Sequence, residues 1–218
     1  MVGSTSAFLN RAISNGEFPV INLKKGEGVN LTKNFGHISK YKIELDWDVN
    51  PAARNRSEQF ELNVGGFLLN HIDGKPIATR DENFVFYGNR SDPTGSVTHN
   101  PDNWKGGTDI MFLDLDKLFT ANNGIDEVST IAEIYEGIDR RQDFGHVNHA
   151  RVTISDASTG QAVANFMLTE DDGNCTAVQM GSFVRKDNDW HFEAVGKGYT
   201  KGWASFVRAY GLEVSQDE

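Results

Sequence analysis

One stretch constrains the fold more than any other. In Lys40-Tyr41-Lys42-Ile43-Glu44-Leu45-Asp46-Trp47-Asp48, apolar Tyr41, Ile43, Leu45 and Trp47 alternate strictly with charged residues. Successive side chains of an extended strand point to opposite faces, so this period of two demands a strand with one face buried and the other in water. Gln59 to Leu69 repeats the pattern, with Phe60, Leu62 and Val64 inward. It ends in Gly65-Gly66, which permit a bulge or a close backbone approach. Further strands are expected at Asn83–Tyr87, Ile110–Leu115, Val128–Tyr135, Ala150–Ser155, Ala162–Leu168, Thr176–Val184 and Trp190–Val195.

The punctuation between strands fits hairpins. Asp73-Gly74 is a strong two-residue turn signal, and Ser158-Thr159-Gly160 and Lys186-Asp187-Asn188-Asp189 are natural connections. With 22 glycines against five prolines, tight turns are well supplied. This many short strands with turn-rich links predict an all-β fold, a two-sheet antiparallel β-sandwich with short peripheral helices. Near the end the period changes. Tyr199, Trp203, Phe206, Val207 and Tyr210 recur every three or four residues, which predicts a C-terminal amphipathic helix stopped by Gly211 and packed on a sheet. A short helix is expected around Asp116–Thr120, and Gly196-Lys197-Gly198 reads as a turn into the final helix. Phe8, Leu9, Ala12 and Ile13 fall on one helical face, so residues 1–19 form an extension, either a docking helix or a frayed terminus, ahead of a domain over 20–218.

Charge and cysteine content narrow the function classes. A net charge of -10 argues against a nucleic-acid partner, because phosphate binding rests on clustered Lys and Arg. The single cysteine, Cys175, excludes an internal disulfide and suits a reducing compartment. Met1–Phe18 has neither a basic region nor a continuous apolar core, so it is not read as a signal peptide, and no apolar run approaches a membrane span. The cytoplasm is the expected location, with no membrane insertion.

Catalytic sets are missing. There is no Gly-x-Ser-x-Gly elbow, and Cys175 follows Glu170, Asp171 and Asp172, which disfavour a thiolate. His146 and His149 lack the flanking Cys or Glu residues that a zinc site needs. Asp46-x-Asp48-x-Asn50 opens like an EF-hand loop, but Pro51 stands where that loop needs Gly and Ser57 where it needs Glu. Oxygen-rich positions are nevertheless frequent: Asp48, Glu61 with Asn63, Asp102-Asn103, Thr108-Asp109 and Glu170-Asp171-Asp172. They either scatter over solvated turns or, where strand ends gather them, crowd negative charge that a cation would relieve.

Several segments carry a family resemblance, in order along Val20–Val214. Val20-Ile21-Asn22-Leu23-Lys24-Lys25-Gly26 resembles the opening strand of TerD-family tellurium-resistance and stress proteins, and Leu45-Asp46-Trp47-Asp48 their Leu-Gly-Trp-Asp strand. Phe84-Val85-Phe86-Tyr87, then Thr94-Gly95-Ser96-Val97 with His99, resembles Phe-Val-Phe-Tyr, Asp-Gly-Ser-Val and His. Asp102-Asn103 resembles part of Gly-Asp-Asn, and Phe144-Gly145-His146-Val147-Asn148-His149-Ala150 their Asn-Phe-Gly-Gln-Val-x-Asn-Ala. Leu168-Thr169-Glu170-Asp171 resembles Leu-Ser-Glu-Asp, and Ala194-Val195-Gly196-Lys197-Gly198-Tyr199 resembles Ala-Val-Gly-Gln-Gly-Tyr.

The resemblance implies a β-sandwich that binds calcium through acidic loops at one end. It also implies a non-enzymatic role in tolerance of tellurite, other chemical stress, phage infection and colicins, within multi-protein assemblies peripheral to the membrane. The metal ligands it implies are Asp48, Glu61, Asn63, Asp102, Asn103, Asp109, Glu170 and Asp171. The chain departs from the family at Glu61-Leu62-Asn63, where the pattern is Asp-Leu-Asp, and at Pro101, where it is Gly. The acidic loop that follows is shortened to Trp104-Lys105-Gly106-Gly107-Thr108-Asp109. Fewer formal charges mean weaker calcium binding, since ligand charge sets affinity. The alternative is a structural or assembly protein, as in a virion, that keeps the sandwich and has lost the metal. Carbohydrate recognition at Trp104 rests on fold analogy alone.

Overall fold

The computed structural model describes residues 19–49, 60–100, 108–121, 124–168 and 173–214. The N-terminal segment with its helical periodicity lies outside them. Two β-sheets face each other. The first contains β1 (Ile21–Leu23), β3 (Lys40–Val49), β7 (Val97–His99), β8 (Thr108–Asp114), β10 (Val147–Asp156) and β11 (Ala162–Met167), in the order β1-β11-β10-β3-β8-β7. The second contains β2 (Gly28–Asn30), β4 (Leu62–Ile72), β5 (Lys75–Ile77), β9 (Glu127–Ile134), β12 (Ala177–Lys186) and β13 (Asp189–Tyr199), ordered β2-β13-β12-β9-β4-β5, with β6 (Phe84–Val85) beside β4.

The core lies between the sheets, as the alternation requires. Tyr41, Ile43 and Leu45 of β3 are fully buried and share one hydrophobic cluster with Val64 of β4, Phe183 of β12 and Phe192 of β13. Each of the aliphatic and Phe side chains among them contributes roughly 1.5–3 kcal/mol relative to exposure. The hairpins sit where the turn residues put them. Asp73 and Gly74 (φ 51° and 75°) join β4 to β5, and Asp187 and Asn188 (φ 50° and 69°) join β12 to β13. Positive φ at both central positions matches the right-handed twist of the flanking strands.

Three features differ from expectation. The pair β1–β11 is parallel in an otherwise antiparallel sheet. Its neighbour in sequence, β2, pairs with β13 in the other sheet, so Lys24–Glu27 laces the two sheets together at one edge. Gly26 (φ 83°) makes that corner and donates its N–H to the Ala194 carbonyl at 2.8 Å. Second, Gly196-Lys197-Gly198 is not a turn but part of β13. Pairing with β12 slips between Ala194 and Lys197, and Gly196 takes φ 56° over the Phe166 ring, a bulge that a side chain would strain. Third, Asn83 closes a 3-10 turn (Asp81–Asn83), and only Phe84 and Val85 of the expected Asn83–Tyr87 strand pair with β4.

Three helices are short. The first, α1 (Leu31–Phe35), is capped by the Asn30 side chain, whose oxygen accepts from Lys33 N–H at 2.8 Å. The second, α2 (Leu115–Thr120), is capped in the same way by Asp114. The third, α3 (Gly202–Ala209), packs Phe206 against the outer face of the second sheet with Phe67, Ile131 and Ala177. The central strand β9 is consequently buried on both faces. The Gly65-Gly66 pair serves close approach. A Cβ on Gly65 would stand 2.7 Å from the Trp203 ring, and one on Gly66 2.9 Å from Met111. No helix among the described residues is long and apolar enough to cross a membrane.

Candidate cation site at the loop end

Strand register decides which oxygen-bearing positions can meet. Asp46 of β3 stands opposite Thr108, the first residue of β8, and Asp48 stands opposite Asn148 at the start of β10. Arg151 of β10 pairs with Met167, the last residue of β11, and Leu168 donates its N–H to the Ala150 carbonyl at 2.9 Å. The end of β3, the starts of β8 and β10 and the end of β11 therefore share one end of the first sheet. Phe60, just before β4, is at that end too, with its ring 6.0 Å from His146. Asp102, Asn103, Glu170 and Asp171 lie outside the described residues, but the residues that flank their segments meet here.

Asp48 is the candidate ligand whose side chain is available. It is 69 % exposed, and His149 Nδ1 lies 3.5 Å from its Oδ2. A bulge in β10 between Asn148 and Arg151 faces it, and His149 takes φ 52° there. Bulges recur where a strand must turn a side chain away from the regular ladder. Asp46 is engaged instead, accepting from the Thr108 hydroxyl at 2.9 Å.

Asp109 sits differently. Alternation along β8 points it inward with Met111 and Leu113, and it is buried between the sheets. Its Oδ2 accepts from the Val64 backbone N–H at 2.6 Å and lies 3.0 Å from His99 Nε2. Its Oδ1 accepts from Ile110 N–H at 2.9 Å. These contacts tie β8 and β7 to β4 across the core, and they occupy both oxygens.

Asn63 falls elsewhere, whereas Glu61 lies within electrostatic reach of Asp109. Asn63, between the core-facing Leu62 and Val64, turns to the outer face of the second sheet opposite Glu133. Partial burial raises the Glu61 carboxyl above the usual carboxylate range, moderated by Arg140 and reinforced by Asp109 and Glu136. Among the described residues no three His, Cys, Asp or Glu side chains converge as a metal-holding group. Of the expected ligands, the described part of this end holds Asp48, exposed beside the His149 ring, and Asp109, already committed to N–H donors, with Glu61 in reach of Asp109. That donor set is all oxygen and suits a hard cation only if the adjoining segments supply further oxygens.

The TerD domain family is matched over residues 20–210. The chain is 34% identical over 197 residues to the tellurium resistance protein TerD of Serratia marcescens, covering 89% of this chain and 99% of the relative. It is 33% identical over 195 residues to general stress protein 16U of Bacillus subtilis, covering 89% and 98%. Among solved structures it is similar to a homologue of the telluride resistance protein TerD from Streptomyces coelicolor, at TM-score 0.54 and 18% identity, covering 78% of this chain and 95% of that one. At that identity the structural likeness speaks for the fold.

Proposed function

The chain belongs to the TerD family, and on that footing we propose that it is a non-enzymatic stress-response protein that binds calcium weakly at the loop end of its sandwich. The relatives it matches carry resistance and stress names. In this reading Asp48, Asp102, Asn103, Glu170 and Asp171 hold the ion, and it neutralises the charge they bring together. Asp109 is committed to the Val64 N–H between the sheets and takes no part in holding the ion, and neither does Asn63, opposite Glu133.

The observation that carries the reading is the register. Antiparallel pairing of β3 with β8 and β10, and of β10 with β11, brings the flanks of the acidic segments to the same end as exposed Asp48. Weak affinity follows from the few formal charges in the shortened loop. Isothermal titration of calcium into the full chain tests it. Saturable binding in the micromolar to millimolar range, weakened in Asp48→Asn, is expected, with magnesium binding less well. No heat at millimolar calcium would sink the reading.

A further inference from the structure

On the outer face of the second sheet, beside α3, lies a cavity of about 830 Å³, a usual size for a small-molecule site. One wall is aromatic. Phe67, Phe84 and Phe86 form a parallel stack, with ring centroids 4.1 Å and 4.3 Å apart. Trp203 meets Phe84 edge-on at 5.2 Å, and Tyr87 meets Phe86 edge-on at 5.0 Å. Phe84, Phe86, Tyr87 and Trp203 all line the cavity. Gly65 beneath makes room for the Trp203 indole.

The other walls carry carboxylates. Glu133 is buried and accepts from the Trp203 backbone N–H at the start of α3. Gly202 packs so closely on it that a Cβ would lie 2.9 Å from Oε1. Glu136 and Asp139 follow β9, Asp81 and Glu82 come from the 3-10 turn, and Glu213 lies past α3. Glu136 is already paired with Arg140 at 2.7 Å, and Lys201 is the one cationic residue among the described lining. Burial favours the protonated form of Glu133, so the surplus of negative charge comes from Asp81, Glu82, Asp139 and Glu213, which share the lining with Phe86, Tyr87 and Trp203.

Both features select the same guest. Ring faces attract a cation through their quadrupole, and carboxylates attract it by charge, more strongly in a partly enclosed space than in water. An anion meets repulsion here. A hard metal ion finds oxygens on one side only and must shed water against rings that cannot replace it. We propose that this cavity binds a small organic cation, an ammonium or guanidinium group on an apolar frame. The site is on the opposite sheet from the loop end and does not depend on calcium being bound.

The test is isothermal titration of the full chain with choline, with n-butylguanidinium, and with the uncharged carbon isostere of choline. At least one of the cations should bind saturably at a single site, and the uncharged isostere at least about fivefold more weakly than choline. Phe86→Leu removes one ring of the stack, and Asp81→Asn removes a charge from the lining. Each should weaken cation binding about fivefold while circular dichroism shows the fold retained. Asp139→Asn, at the rim, gives a third reading if either of those variants fails to fold. Millimolar calcium should not displace the cation. Absence of saturable binding by both cations, equal binding of the isostere, or displacement by calcium would overturn the proposal. Folded variants with wild-type affinity would overturn it as well. Failure of the calcium titration on its own leaves this site untouched.

Discussion

The carboxylate of Asp109, in the first sheet, accepts a 2.6 Å hydrogen bond from the backbone N–H of Val64, in the second. Both groups are buried, so removing one partner strands the other without water. Asp109→Ala is expected to cost about 1–3 kcal/mol, read as a lower urea midpoint with an unchanged m-value. The loss should appear equally in chelator and in calcium, because the contact holds the sheets and not an ion. Stability equal to wild type would show that the inter-sheet bond contributes nothing.

Gly65 and Trp203 make a second, purely steric pair. A methyl group on Gly65 would stand 2.7 Å and 2.9 Å from two indole carbons and 3.1 Å from Phe84. Gly65→Ala is expected to destabilise by about 1–3 kcal/mol through overpacking. In a Trp203→Leu background the same change should cost much less, because the ring it strikes is gone. A double-mutant cycle by chemical denaturation measures that coupling. Simple additivity would contradict the packing described.

Glu133 gives a pH dependence with a definite sign. Burial pushes its carboxyl up to about 8 from an ordinary value of 4.5, only partly offset by the Trp203 backbone N–H. Glu136, Asp139, Asp81, Glu82, Glu213 and Lys201 line the same cavity, but burial and the Trp203 N–H set the shift. Between those two values the unfolded chain has lost the proton that the folded chain still holds. The contribution of Glu133 to stability is therefore full below pH 4.5 and falls as pH rises to about 8. Glu133→Gln cannot ionise, so its stability relative to wild type should improve from acid to mildly alkaline pH. Urea unfolding of both proteins across that range checks this, and a constant difference would contradict it.

Much of the architecture was legible because it rests on local rules. Trp190, Phe192 and Ala194 are buried in β13 as alternation demands, and His191 and Glu193 face the other way. Asp73-Gly74 and Asp187-Asn188 turn where their backbone freedom allows. The final aromatic helix packs on a sheet through Phe206, although it forms only over Gly202–Ala209. What escaped depends on partners distant in sequence. A three-residue β2 and a five-residue α1 are too short to show a period. The bulge at Gly196 is dictated by Gln179–Gly181 across the ladder.

The sites were harder to read for the same reason. Oxygen-rich positions stand out in a sequence, but register sorts them. It sends Asp109 inward to Val64, leaves Asp48 exposed, and turns Asn63 to the far face. Glu133, in the mixed sequence of β9, gives no functional signal until the Trp203 N–H is seen bonded to it in a shared cavity. Phe84 to Tyr87 and Trp203 carry the periods of core residues, and only their packing around Gly65 shows a cavity wall.

The most direct test of calcium binding at the loop end is the thermal midpoint of the full chain measured against calcium concentration. A ligand that binds only the folded state raises stability as RT ln(1 + [L]/Kd). The account predicts a midpoint that climbs with the logarithm of calcium through the millimolar range. In Asp48→Asn the same climb should be displaced to higher calcium by about tenfold, as expected when a ligand charge is lost. A wild-type midpoint that stays flat to saturating calcium would contradict the account, as would an Asp48→Asn curve superimposed on it.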